Sequence, residues 1–256
     1  MLADTTSAAR SPTAVSTGPQ WIRLLLGLFA VYALFHWSAA TLGSDRGQAG
    51  LLVGVLVVSA TLAVECRWSG ASLSSAMRTI GLGAPRPRGL VAATFVCGLL
   101  LLVPAVFARA TASTVTIENA SPWLIAGLFA QGGIAEETLF RGYLFGHLRI
   151  GRTFWRAAVI SMMPFAAVHL MLFVTLPFPV ALAALLLAVV MSFPMAHLFE
   201  LGGATIWPSA LPHFVVQGTV KIVVFGGDAS PAFPLVWMLA SAILPLLVFV
   251  FSRPMR

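Results

Sequence analysis

Apolar residues run along this chain in long blocks, and the polar residues gather between the blocks instead of alternating with them. A helix needs roughly 20 mostly apolar residues to cross a bilayer core. Eight stretches reach or approach that length, at roughly 22–42, 49–65, 89–108, 122–147, 154–172, 177–199, 204–225 and 232–251. The pattern predicts an all-α fold, a polytopic membrane bundle of about eight transmembrane helices. Residues 1–20 are rich in Ala, Ser and Thr and read as a disordered cytoplasmic N-terminus. Residues 21–256 read as a single transmembrane domain with no internal repeat. The longest interior connection, 66–88, runs into GLGAPRPRG and reads as a loop at the headgroup surface.

Composition agrees with this pattern. Of the 256 residues, 59% are hydrophobic and only 9% are charged, against about 25% charged in a soluble domain. The net charge of +7 is spread over loops with no basic stripe or interleaved aromatics, so no nucleic-acid partner is expected. With eight spans, eleven arginines share a side with both termini. Arg46, Arg109 and Lys221 fall on the other side, and Arg141 falls inside the membrane. The positive-inside rule then places both termini in the cytoplasm, as for an integral protein of the bacterial cytoplasmic membrane. Cys66 and Cys97 have no metal spacing and no disulfide framework, and read as packing residues.

Three of the spans carry ionisable groups well inside them. The fourth contains GGIAEETLFRG, with Glu136, Glu137 and Arg141. The fifth contains His169 and the seventh His213. A charge at bilayer depth costs roughly 2.5–3.5 kcal/mol on insertion scales, so such residues are expected to pair or to do chemistry. Glu137 and Arg141 are four apart, acid first, which is the favourable order for a helical ion pair. Glu136 points about 100° away and has no partner on its own helix. Counted from the turn at Gly151, Glu136 and His169 lie at similar depth, roughly 25 Å along their helices. That makes His169 the candidate partner of Glu136. His213 and Gln217 share a face, as do Phe165 and His169. Pro208 and Pro212 can kink the seventh helix and turn His213 inward.

This set suits hydrolysis. Glu136 and His169 can hold a water between them, with the glutamate as general base. His213 and Gln217 can donate hydrogen bonds to a tetrahedral oxyanion. Glu65, His147, His197 and Glu200 fall near span ends and His36 among aromatics, so these read as structural.

EETLFR (136–141), FAAVH (165–169) and HFVVQ (213–217), in this order on three spans, resemble the CPBP family of CAAX proteases and bacteriocin-processing intramembrane proteases. GLG and the following RP at 81–87 resemble the family segment before its third helix, so the likeness runs from about residue 80 onward. The resemblance implies an intramembrane endopeptidase of the glutamate type. Glu136 would activate water with His169 as its partner, and His213 would stabilise the oxyanion. Glu137 and Arg141 match supporting positions, and Phe165 a shaping one. Gln217 departs from the family's usual Asn by one methylene. The implied partners are the lipid bilayer and a membrane-bound protein or peptide substrate.

The resemblance favours metal-free chemistry, so no cofactor is expected. The zinc alternative would draw on Glu136, His169 and His213, although no His-Glu-x-x-His sequence occurs. Two other functions fit the same residues: a non-catalytic scaffold or immunity protein holding a membrane partner, and a proton-coupled transporter. The absence of a repeat argues against transport.

Overall fold

The computed structural model describes residues 15, 17–42, 46–117, 121–226 and 230–251. Most of the expected tail at 1–20 lies outside these residues, as do Arg10, Arg253 and Arg256 of the charge count. Helix α1 (Gly18–Leu42) is followed by α2 (Gln48–Ser69), the short α3 (Leu73–Thr79) and α4 (Pro87–Thr111). The fourth pass starts as α5 (Pro122–Leu128) and ends as α6 (Gly146–Arg149), with two π-helical segments between them, Phe129–Ala135 and Thr138–Phe145. Then come α7 (Phe154–His169), α8 (Leu172–Thr175), α9 (Phe178–Leu201), α10 (Trp207–Ile222) and α11 (Phe233–Ile243), the last running into a 3₁₀ segment, Leu244–Phe251.

The protein is a helical membrane bundle. Among the described residues, six helices are long and apolar enough to cross a membrane. The fourth and seventh expected passes do not meet that test, so a count of eight is not established. They are also the passes that carry Glu136, Glu137, Arg141, His213 and Gln217. Helix α10 has 16 residues, about 24 Å of rise, and the chain then leaves the helix for a strand. That strand, β2 (Val223–Gly226), pairs antiparallel with β1 (Thr114–Ile117), with Thr114 opposite Gly226 and Ile117 opposite Val223. Both segments are rich in β-branched residues, which suit an extended backbone. The expected span to 225 therefore ends early.

The connection 66–88 is not a plain surface loop. It contains α3, capped by the Ser72 side chain on the Ser75 N–H, and it buries Ile80 completely. Gly81 adopts a positive φ of 81°, a conformation that glycine tolerates. The carbonyls of Gly81 and Gly83 accept from Ile206 N at 2.9 Å and from Trp207 Nε1 at 2.9 Å. Arg86 N donates to Gly202 O at 2.9 Å. This segment therefore clamps the turn that starts α10, and so sets where His213 stands.

Small residues bring the fourth pass close to its neighbours. A Cβ on Gly50 would lie 2.7 Å from Gly127 O, and one on Gly54 would lie 2.9 Å from Ala130 O. Helices in lipid associate through such close backbone approach, because apolar burial drives little between them. Helix α10 packs on α4, α9 and the first π segment, and α7 packs on α9.

Candidate active site

The fourth pass widens on both sides of Glu136 and Glu137. A π-helical stretch bonds i to i+5 instead of i+4, and such stretches are frequent at functional sites. Gly132 and Gly133 lie in the first stretch and Arg141 in the second. Glu137 is fully buried and Arg141 nearly so. Arg141 Nη1 lies 3.0 Å from Glu137 Oε1, which forms the pair expected from their spacing. The guanidinium also lies 4.4 Å from the Phe165 ring centroid, a cation–π contact that helps offset its desolvation.

Both carboxylates reach the same histidine on α10. His213 Nδ1 lies 2.6 Å from Glu137 Oε1, and its Nε2 lies 3.5 Å from Glu136 Oε2. Two adjacent helical side chains diverge by about 100°, and the two nitrogens of one imidazole span that divergence. Glu137 accepts from Nδ1–H and so fixes Nε2 as the nitrogen that faces Glu136. Gln217, one turn on, has its Nε2 2.8 Å from His213 Nε2 and 3.3 Å from Glu136 Oε1. Ser209, one turn before His213, donates its hydroxyl to the Ile206 carbonyl at 2.9 Å. Pro212 sits inside α10, but Pro208 is in its first turn, where proline is accommodated without a kink.

His169 does not pair with Glu136 as its depth suggested. It is the last residue of α7, and its Nδ1 donates to the Phe165 carbonyl at 2.7 Å. A helix end leaves carbonyls without partners, and a histidine four residues on can satisfy one. This fixes the ring and leaves Nε2 with its lone pair available. Phe165 contacts both imidazoles edge-on, at 4.9 Å to His169 and 6.3 Å to His213 between centroids.

Gly132 was not singled out from the sequence, yet it decides how Gln217 fits. A Cβ on Gly132 would lie 2.5 Å from Gln217 Oε1. The absent side chain leaves room for the extra methylene of glutamine. The sequence signal was available: a glycine four residues before Glu136, on a pass that must admit a longer amide than the family's usual one.

Part of this cluster borders a cavity of about 460 Å³, and Glu136 lies behind His213 and Gln217 rather than among its lining residues. Arg141, Phe165, His169, His213 and Gln217 line its polar end, and Leu172, Leu187 and Met191 are among the apolar residues that line the rest. Among the described residues, no group of three or more His, Cys, Asp or Glu is arranged to hold a metal ion. His169 has one nitrogen committed to a carbonyl, and His213 has one committed to Glu137.

Residues 118–219 match the family model described as type II CAAX prenyl endopeptidase Rce1-like. This segment is Rce1-like. The match agrees with the CPBP resemblance carried by the three motifs, and it contains every residue of the cluster from Gly132 to Gln217. No curated protein and no solved structure matches the chain. At family level the Rce1-like match supports an intramembrane protease with a membrane-associated protein substrate. Together with the six apolar helices, it identifies an integral membrane protein. Outside the cluster, the residues read as structural are engaged. His147 Nε2 pairs with the buried Glu65 at 3.2 Å, Arg149 pairs with Glu200, and His197 stacks on Phe249 at 4.7 Å.

Proposed function

We propose that the protein is an intramembrane endopeptidase that hydrolyses a peptide bond through water activated by Glu136. The observation that carries this reading is a single imidazole, His213, held between Glu136 and Glu137 with the Gln217 amide beside it, where His213 and Gln217 line an apolar cavity. The proposed water lies between the Glu136 carboxylate and Nε2 of His169. Glu136 takes a proton from this water as its oxygen attacks the scissile carbonyl. The oxyanion takes hydrogen bonds from the Gln217 amide, and from His213 Nε2 when that nitrogen carries a proton. Glu136 then gives its proton to the leaving amine, which balances the hydrolysis.

Gln217 now bonds to Glu136 and His213, so the substrate carbonyl replaces an existing contact instead of filling an open donor. Glu137, Arg141 and Phe165 act as positioning residues: they hold His213 and His169 in register. A low-dielectric surround strengthens each of these interactions. The apolar cavity wall suits a substrate with a lipid-like or strongly apolar segment, and a prenylated C-terminus is the example the family description supplies.

The test is cleavage in native membranes. Wild type, His169→Ala and His213→Ala are each supplied with membrane-anchored candidate substrates, with and without a chelator, and products are read by mass. The proposal expects cleavage by wild type, insensitivity to the chelator, and loss in both variants. Undiminished cleavage in both variants, or abolition by the chelator in wild type, overturns it.

A further inference from the structure

A separate cavity of about 160 Å³ opens where the start of α1, the end of α2 and the end of the fourth pass meet. It lies away from His213, and no residue assigned to the reaction lines it. Gly27 lets its walls close: a Cβ there would collide with the Trp68 ring and the Tyr143 hydroxyl. Tyr143 donates that hydroxyl to the Leu24 carbonyl at 3.4 Å. Arg152, from the turn before α7, donates to the Val15 carbonyl and lies 5.1 Å from the Trp21 ring centroid. The first turns of α1 are therefore fixed against the rest of the bundle.

The charges in this cavity do not balance. Glu65 is buried and pairs with His147 at 3.2 Å, and the Tyr143 carbonyl holds the other nitrogen of His147 at 2.7 Å. Arg23 is the remaining charge in the wall, and among the described residues it has no hydrogen bond or ion pair. The Trp68 indole N–H, also in the wall, has no acceptor among the described residues. The cavity thus presents a full positive charge and an uncommitted donor, while its one acid is already paired. Helix α1 also turns its positive end this way and has no acid in its first turn. A phosphate suits such a wall, since it accepts charge-assisted hydrogen bonds from a guanidinium and has further oxygens for a neutral donor.

Two features favour a lipid over a soluble anion. Ile22, Leu26 and Phe29 are exposed and share one face of α1, in a stripe that starts beside Arg23. The helix ends that meet here also bring Arg67, Arg149, Arg152 and Arg156 to the same end of the bundle. Basic clusters at a membrane surface attract anionic lipids.

We propose that this cavity binds the phosphate of an anionic membrane phospholipid. Arg23 and the Trp68 indole hold the phosphate, and the acyl chains lie along Ile22, Leu26 and Phe29. The lipid fastens α1 to α2 and the fourth pass, and the site is independent of the endopeptidase reading.

The experiment is thermal unfolding of the full chain, stripped of lipid in a nonionic detergent. The chain is heated with dioleoylphosphatidylglycerol, with dioleoylglycerol, which lacks the phosphate, or with glycerophosphate, which lacks the chains. The proposal expects phosphatidylglycerol, at about 100-fold over its dissociation constant, to raise the unfolding temperature by roughly 5–10 °C. The other two compounds give little of that shift. Arg23 is exposed, so Arg23→Gln leaves the fold intact and removes the phosphate-dependent part. Arg67→Gln, at the same end of the bundle but outside the cavity, keeps it. Four results overturn the site: no shift with phosphatidylglycerol; an equal shift with dioleoylglycerol, which means an apolar coat only; an equal shift with glycerophosphate, which means a soluble anion; or an equal loss in Arg67→Gln, which means general surface charge.

Discussion

The Nδ1 of His213 lies 2.6 Å from Oε1 of Glu137, and that same oxygen lies 3.0 Å from the Arg141 guanidinium. One carboxylate oxygen thus serves a cation on its own helix and an imidazole on another. All three side chains are buried. Removing one partner from a buried pair is far costlier than the net worth of the pair, because the remaining charge has no water to turn to. Glu137 therefore ties the fourth pass to α10 at the level of the chemistry.

Glu137→Ala leaves Arg141 uncompensated and His213 free to rotate. The variant is expected to lose about 3–5 kcal/mol of stability. Its turnover should fall by roughly 10–100-fold, the usual cost of losing a group that orients a histidine. Thermal unfolding in detergent and cleavage rates measure the two separately. Glu137→Gln keeps an acceptor for Nδ1 and should recover part of the rate but not the stability.

Gly132 and Gln217 should behave as a unit. Gly132→Ala puts a methyl group where the Gln217 amide oxygen now sits, and a displacement of about 1 Å at a catalytic donor can cost on the order of 100-fold. Gln217→Asn shortens the side chain and vacates that space. The double variant Gly132→Ala/Gln217→Asn is therefore expected to be more active than Gly132→Ala alone. A double-mutant cycle on cleavage rates reads the coupling; additive losses would show that the two do not meet.

Phe165 touches Arg141 with its face and both histidines with its edge. Phe165→Leu keeps the apolar bulk and removes the ring. A desolvated cation–π contact is worth about 2 kcal/mol, so stability should fall by that order, with a loss of turnover as His169 loses its neighbour. A variant with unchanged stability would show that the ring only fills space.

The Glu65–His147 pair lies about a turn beyond Tyr143 on the fourth pass, away from the cavity beside His213. Glu65→Gln should lower the unfolding temperature and leave kcat within about twofold, since only groups that gain in the transition state change it. A large loss of kcat with unchanged stability would mean that the cluster takes part in the reaction.

The helical membrane bundle was legible because block hydrophobicity is a strong signal, and the three motifs pointed to the family segment that the comparison found. The Glu137–Arg141 pair followed from spacing alone. The partners of Glu136 did not. Depth counting assumed straight α-helices and placed it opposite His169, whereas the fourth pass widens to π geometry and Glu136 meets His213 and Gln217. The widened segment packs against α2 and α10, contacts that no local pattern reports. The early end of α10 at Ile222 was missed because Val223, Val224 and Phe225 are as apolar as a span and differ only in their preference for extended backbone. The helix within 66–88 was hidden by the glycines and prolines that follow it, and the burial of Ile80 there depends on the fourth pass.

The most direct measurement compares initial cleavage rates of wild type and Glu136→Gln, reconstituted in the same liposomes with the same membrane-anchored substrate. Glutamine keeps the size of the side chain and an acceptor oxygen but cannot take a proton from water. Loss of a general base costs about 10²–10⁴-fold. The account predicts a drop in that range with binding and thermal stability unchanged. A Glu136→Gln enzyme cleaving within about threefold of wild type would contradict it, since such a chain hydrolyses without the base on which the reading rests.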